Sequence, residues 1–141
     1  MATLFVIMFK VRHNMLASMA IGTYTGWITV ATIAAMYVTA SSLGFDGLSN
    51  TGLILTIVGI GLGAIIISGV VYFTGNNMFA LAAIWGYVGI IIEHATTYKG
   101  AHPFIIGMVA AGILLIGFVS AYSMIINGNI AFVNTGRVML K

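Results

Sequence analysis

The sequence predicts an all-α integral membrane bundle of four transmembrane helices, and three observations carry that reading. Of the 141 residues, 61% are hydrophobic and only 5% are charged, whereas a soluble domain carries roughly 25% charged side chains. Mean hydropathy is +1.15. Four stretches, 14–43, 51–74, 77–95 and 103–126, each approach or exceed the roughly 20 apolar residues that a bilayer crossing requires. The whole chain, 1–141, reads as a single transmembrane domain.

Composition also excludes function classes. With no cysteine, disulfides, thiolate metal sites and cysteine chemistry are ruled out. The net charge of +3 comes from five basic residues spread along the chain. It bears on orientation in a membrane and provides no basic cluster for nucleic acid.

The N-terminal segment, 1–13, is apolar up to Phe9 and then basic at Lys10 and Arg12. It is too short to span and is expected to lie at the interface. Because its positive charge follows the apolar run, it does not have the order of a cleaved signal peptide.

The first span carries the most polar character. Thr23, Thr25, Thr29, Thr32 and Thr39 accompany Tyr24, Trp27 and Tyr37, and positions 18, 22, 25, 29, 32, 36 and 39 recur at helical spacing. All of them are Ser, Gly or Thr except Met36, so a helix presents one narrow, weakly polar stripe. Its hydroxyls can bond their own i−4 carbonyls, cross to another helix, or line a ligand groove.

The connector FDGLSNTG, 45–52, has turn chemistry and offers Ser49, Asn50 or Thr51 as a cap. The second span contains Gly59 and Gly63 as a GxxxG pair, and Gly22 with Gly26 forms another. In a bilayer such pairs let helix backbones approach closely. Gly75, Asn76 and Asn77 form a very short connection, which predicts that the second and third spans are a tight hairpin and neighbours in space. The third span aligns Ala82, Gly86, Gly89 and Glu93 on one face, so Gly86 and Gly89 join the expected packing positions. Pro103 opens the fourth span, where its missing N–H costs nothing. The tail, 127–141, is mixed and is expected to lie on the membrane surface or reach a partner.

Four spans place both termini on one side. That side holds Lys10, Arg12, Arg137 and Lys141, and the other holds Asp46, Glu93 and Lys99. The positive-inside rule then puts both termini on the cytoplasmic or equivalent face of a bacterial cytoplasmic or mitochondrial inner membrane.

Ionisable residues crowd together at Glu93, His94, Lys99 and His102, with Tyr98 among them. An interfacial Glu93–Lys99 pair, a ligand or proton role for His94, and a salt bridge to another subunit are the alternatives. His13 lies about a membrane thickness from His94 and His102, which argues against a three-histidine metal site. Haem held by one histidine and a partner's ligand stays open. No set of nucleophile, base and orienting group is visible, so no catalytic residue is assigned and no enzyme is expected.

Two segments resemble a known family. The run TYTGWITVATIAAMYVTASSLGFDG, 23–47, is similar to the Y-x-GWITVATIAN segment of bacterial relatives of the tryptophan-rich sensory or translocator proteins. FALAAIWGYVGIIIEH, 79–94, resembles the ALVxIWAxxGI segment that follows in the same proteins. The resemblance covers about residues 12–93 and corresponds to the later part of the longer relatives. It implies a helical membrane bundle and, by analogy with members that bind porphyrins, sterols or related ligands, a site that would include Trp27, Thr29, Thr32 and Trp85.

Two function classes follow. One is a non-enzymatic accessory or scaffold subunit of a larger membrane complex, respiratory or otherwise energy-transducing, whose partners are lipids, other transmembrane subunits or a second copy. The alternative is a translocator-like protein holding a porphyrin, pigment or lipid between its helices, with no cofactor strictly required.

Overall fold

This computed structural model describes residues 2–11, 14–44, 46 and 49–126. Five helices follow in order: α1 (Ala2–Lys10), α2 (Met15–Ser42), α3 (Asn50–Thr74), α4 (Asn77–Thr96) and α5 (Pro103–Ile126). The last four are long and apolar enough to cross a membrane, and they match the four predicted spans. Arg12, His13, Arg137, Lys141 and the expected surface tail lie outside the described residues.

Helix ends follow the local sequence. Asn14 Oδ1 accepts from the Ala17 N–H at 3.1 Å to open α2. Ser49 accepts from the Gly52 N–H at 3.1 Å to open α3. Gly75, at φ 64°, closes α3 in the left-handed conformation that glycine adopts without strain.

Between 22% and 28% of each spanning window is buried. The outward faces are large and apolar, including Ile54, Ile66, Leu114 and Phe118. Such a surface would drive association in water and is satisfied by lipid. The chain is therefore an integral membrane protein.

Pairing within the bundle differs in part from expectation. The connection between α3 and α4 is as tight as predicted, but the two helices diverge from it: α3 packs mainly on α5, and α4 lies between α2 and α5. Tyr87 of α4 fills the widening gap. Its hydroxyl donates to the Ile60 carbonyl at 2.8 Å, and its ring takes the space left by two glycines. A Cβ at Gly63 would lie 2.9 Å from the Tyr87 Oη, and one at Gly112 only 2.8 Å from its Cε1. The core gathers around this residue and includes Ala64, Ile67, Val71, Phe79, Ala83, Ile105, Val109 and Ile116.

The α2–α4 contact is the small-residue seam that the sequence suggests, over half its length. A Cβ at Gly22 would collide with the Asn76 amide, one at Gly26 would sit 2.7 Å from the Phe79 carbonyl oxygen, and one at Gly86 would collide with Val30. Ser18, Thr25 and Thr29 of the stripe are buried, whereas Met36 and Thr39 are exposed. The reason is length. At about 1.5 Å per residue, the 28 residues of α2 outrun the 20 of α4, and the upper part of α2 stands clear. Thr39 meets lipid without penalty because its hydroxyl donates to the Ala35 carbonyl at 2.8 Å.

Two expected packing positions have no neighbour among the described residues: a Cβ at Gly59 or Gly89 meets open space there. Helix α1 docks at the end of the bundle where α2 begins, with Met8 buried and Phe5 edge-on to Phe79 at 6.1 Å between centroids.

Candidate functional site

The seam between α2 and α4 continues outward into an open groove of about 370 Å³, lined by Thr23, Trp27, Met78, Leu81, Ala82, Ile84 and Trp85. Its shape follows from side-chain size at the seam. Gly26, Ala82 and Gly86 bring the backbones together, and the tryptophans on either side stand proud of them. Trp27 is 52% exposed and Trp85 66%, so both indoles present large surface toward the lipid side of the bundle.

The two tryptophans belong to widely separated segments, and the fold brings them to one groove. The two threonines proposed with them behave differently. Thr29 is buried and donates to the Thr25 carbonyl at 2.8 Å, and Thr32 donates to the Ile28 carbonyl at 2.7 Å. Neither lines the groove; each hydroxyl is turned onto its own helix. Thr23, which the sequence reading left unassigned, takes their place.

A second polar region lies where α3 turns into α4. Asn76 Oδ1 accepts from the Phe79 N–H at 3.2 Å, and its Nδ2 donates to the Ser18 carbonyl at 2.9 Å. Asn77 Oδ1 accepts from the Ser120 hydroxyl at 2.7 Å. One short turn is thereby tied to α2 and α5. Both asparagines are buried. In the sequence they read as turn formers alone, and two consecutive amides between apolar spans are the signal of the further role.

The ionisable cluster lies at the opposite end. Glu93 is exposed in the last turn of α4 and makes no ion pair with Lys99, so the expected neutralising pair does not form. Lys99 sits at φ 49° in the turn that follows, and its backbone is committed to reversing the chain. His94, Tyr98 and His102 do meet, as three rings in mutual contact.

The family model for TSPO-like proteins matches residues 1–122. The chain belongs to the TSPO-like family. The match reaches well beyond the 12–93 segment that carries the resemblance, from α1 almost to the end of α5. No curated protein and no solved structure matches the chain. Membership supports a membrane protein of the translocator type and does not speak for a respiratory accessory subunit. In this TSPO-like chain, the GWITVATIA segment supplies the α2 side of the seam and the tryptophan segment of α4 supplies the other side.

Proposed function

We propose that this TSPO-like protein is a non-enzymatic membrane protein that holds a flat, apolar ligand, a porphyrin, pigment or lipid, in the groove between α2 and α4. The carrying observation is that Trp27 and Trp85 line the same groove while standing well inside their spans. Membrane tryptophans concentrate at the interfaces. Trp27 is twelve residues into α2 and Trp85 eight into α4, so they lie about 18 Å and 12 Å along their helices. An open, apolar, aromatic-lined groove at that depth suits a ligand arriving laterally from the bilayer. By the charge at Lys10, the start of α2 faces the cytoplasm or its equivalent.

The test is a porphyrin titration of the full-length protein in mild detergent, followed by tryptophan quenching. Saturable quenching is expected, with affinity lowered roughly three- to tenfold by Trp27→Ala or Trp85→Ala, the loss of one aromatic contact of about 0.5–1.5 kcal/mol. Non-saturable quenching, equal in wild type and both variants, would reject the groove as the site.

A subunit role has one observation in its favour: Gly59 and Gly89 leave exposed backbone on α3 and α4, which a partner helix or second copy could approach closely. Stoichiometric transmembrane partners without a chromophore in the purified complex would favour that reading over the ligand-binding one.

A further inference from the structure

We propose that the end of the bundle opposite the start of α2 carries a binding site for a divalent transition-metal ion, built from the imidazoles of His94 and His102 with the Tyr98 phenol beside them. This goes beyond the ligand groove and does not depend on it, since the two lie at different ends of α4.

The first support is the state of His94. Its Nδ1 lies 3.0 Å from the Ile90 carbonyl oxygen. A carbonyl only accepts, so Nδ1 carries a proton, and in the neutral ring Nε2 is the nitrogen left to bind an ion. Metal-ligating histidines are oriented by this kind of bond from the second ring nitrogen to a backbone carbonyl.

The second is convergence. The His94 and His102 rings are 6.3 Å apart between centroids, and Tyr98 stands 5.1 Å from the first and 5.7 Å from the second. Two imidazoles sharing one ion at metal–nitrogen distances of about 2.0–2.1 Å place their centroids roughly 5–6 Å apart, close to the spacing of these two rings.

The third is a preset loop. The Thr97 N–H donates to the Glu93 carbonyl at 2.9 Å, the Gly100 N–H to the His94 carbonyl at 3.0 Å, and the Ala101 N–H to the Tyr98 carbonyl at 2.9 Å. Lys99 and Gly100 both take positive φ, 49° and 74°, which folds the chain back onto α4. His102 then opens α5, accepting from the Ile105 N–H at 3.1 Å, and Pro103 fixes the helix start. The backbone that brings His102 to His94 is thus held in place without the ion.

No three His, Cys, Asp or Glu side chains converge among the described residues, so the protein supplies two nitrogens and leaves the other positions to Tyr98 or water. Neutral imidazole suits Cu²⁺, Zn²⁺ and Ni²⁺, and Cu²⁺ binds most tightly in that order.

The test titrates Cu²⁺ into the metal-free full-length protein in detergent, read by calorimetry and electron paramagnetic resonance. One equivalent is expected, with hyperfine splitting from two nitrogens. His94→Ala and the loop variant His102→Gln should each weaken it by about tenfold or more, while His13→Ala should leave it unchanged. The proposal is overturned by an absence of stoichiometric copper in the wild type, by affinity unchanged in the two cluster variants, or by loss of copper in His13→Ala. Porphyrin quenching at the tryptophan groove is independent of every one of these outcomes.

Discussion

Where α3 turns into α4, backbone groups are released within a bundle that offers little water, and Asn76 takes up one of them while reaching across to α2. It caps Phe79 and donates to the Ser18 carbonyl, and Gly22 is a glycine because that amide occupies the place of its side chain. Asn76→Ala is expected to cost about 1–2 kcal/mol, the combined loss of a cap and a buried hydrogen bond. Unfolding in mixed detergent would measure it. Gly22→Ala should destabilise the wild type through collision with Asn76 yet be tolerated beside Asn76→Ala, where the amide is gone. Simple additivity of the two substitutions would refute the assigned contact. Tyr87 separates size from hydrogen bonding in the same assay. Tyr87→Phe keeps the wedge and should lose about 0.6 kcal/mol, the usual worth of an interhelical bond in a membrane. Tyr87→Ala should lose roughly 3–5 kcal/mol, because Gly63 and Gly112 then face a cavity.

Between elements, glycines of one type have two destinations. Gly63 meets Tyr87, whereas Gly59, one turn earlier on the same helix, meets nothing among the described residues. Gly63→Leu is therefore expected to disrupt the folded monomer, and Gly59→Leu to leave it intact. If the outward face of α3 joins a second chain, Gly59→Leu should instead shift the oligomeric state in cross-linking. A monomer destabilised equally by both would contradict the packing around Tyr87. The comparison also marks what the sequence could convey. The spans were legible because length and hydropathy alone define them, and their ends because Ser49, Gly75 and Pro103 are local signals. The pairing of α3 with α5 was not legible. In lipid both faces of a helix are apolar, so no hydrophobic stripe marks the inner one, and the choice falls to the fit of a Tyr87 ring between Gly63 and Gly112. Trp27 and Trp85, which share the groove, could be singled out from the segments that carry the family resemblance. Thr29 and Thr32 could not be excluded, because whether a hydroxyl turns to its own carbonyl or to a groove depends on side-chain orientation, which a motif does not record.

For the whole molecule, the hydrogen bonds from Asn76 to Ser18 and from Ser120 to Asn77 bring the start of α2, the α3–α4 turn and the last turns of α5 to one end. α1, with nine residues, extends only about 13 Å and cannot be a fifth crossing. The bilayer should therefore separate Lys10 and Phe73 from Leu43 and Thr97, all four of which are exposed. The chain has no cysteine, so single substitutions to cysteine at these positions give an unambiguous signal with a membrane-impermeant maleimide. In sealed vesicles of one orientation, Lys10→Cys and Phe73→Cys should react from the same side, and Leu43→Cys and Thr97→Cys only from the other or after permeabilisation. Labelling of Leu43→Cys and Phe73→Cys from one side would mean that α3 does not cross, and the four-span arrangement would fall with it.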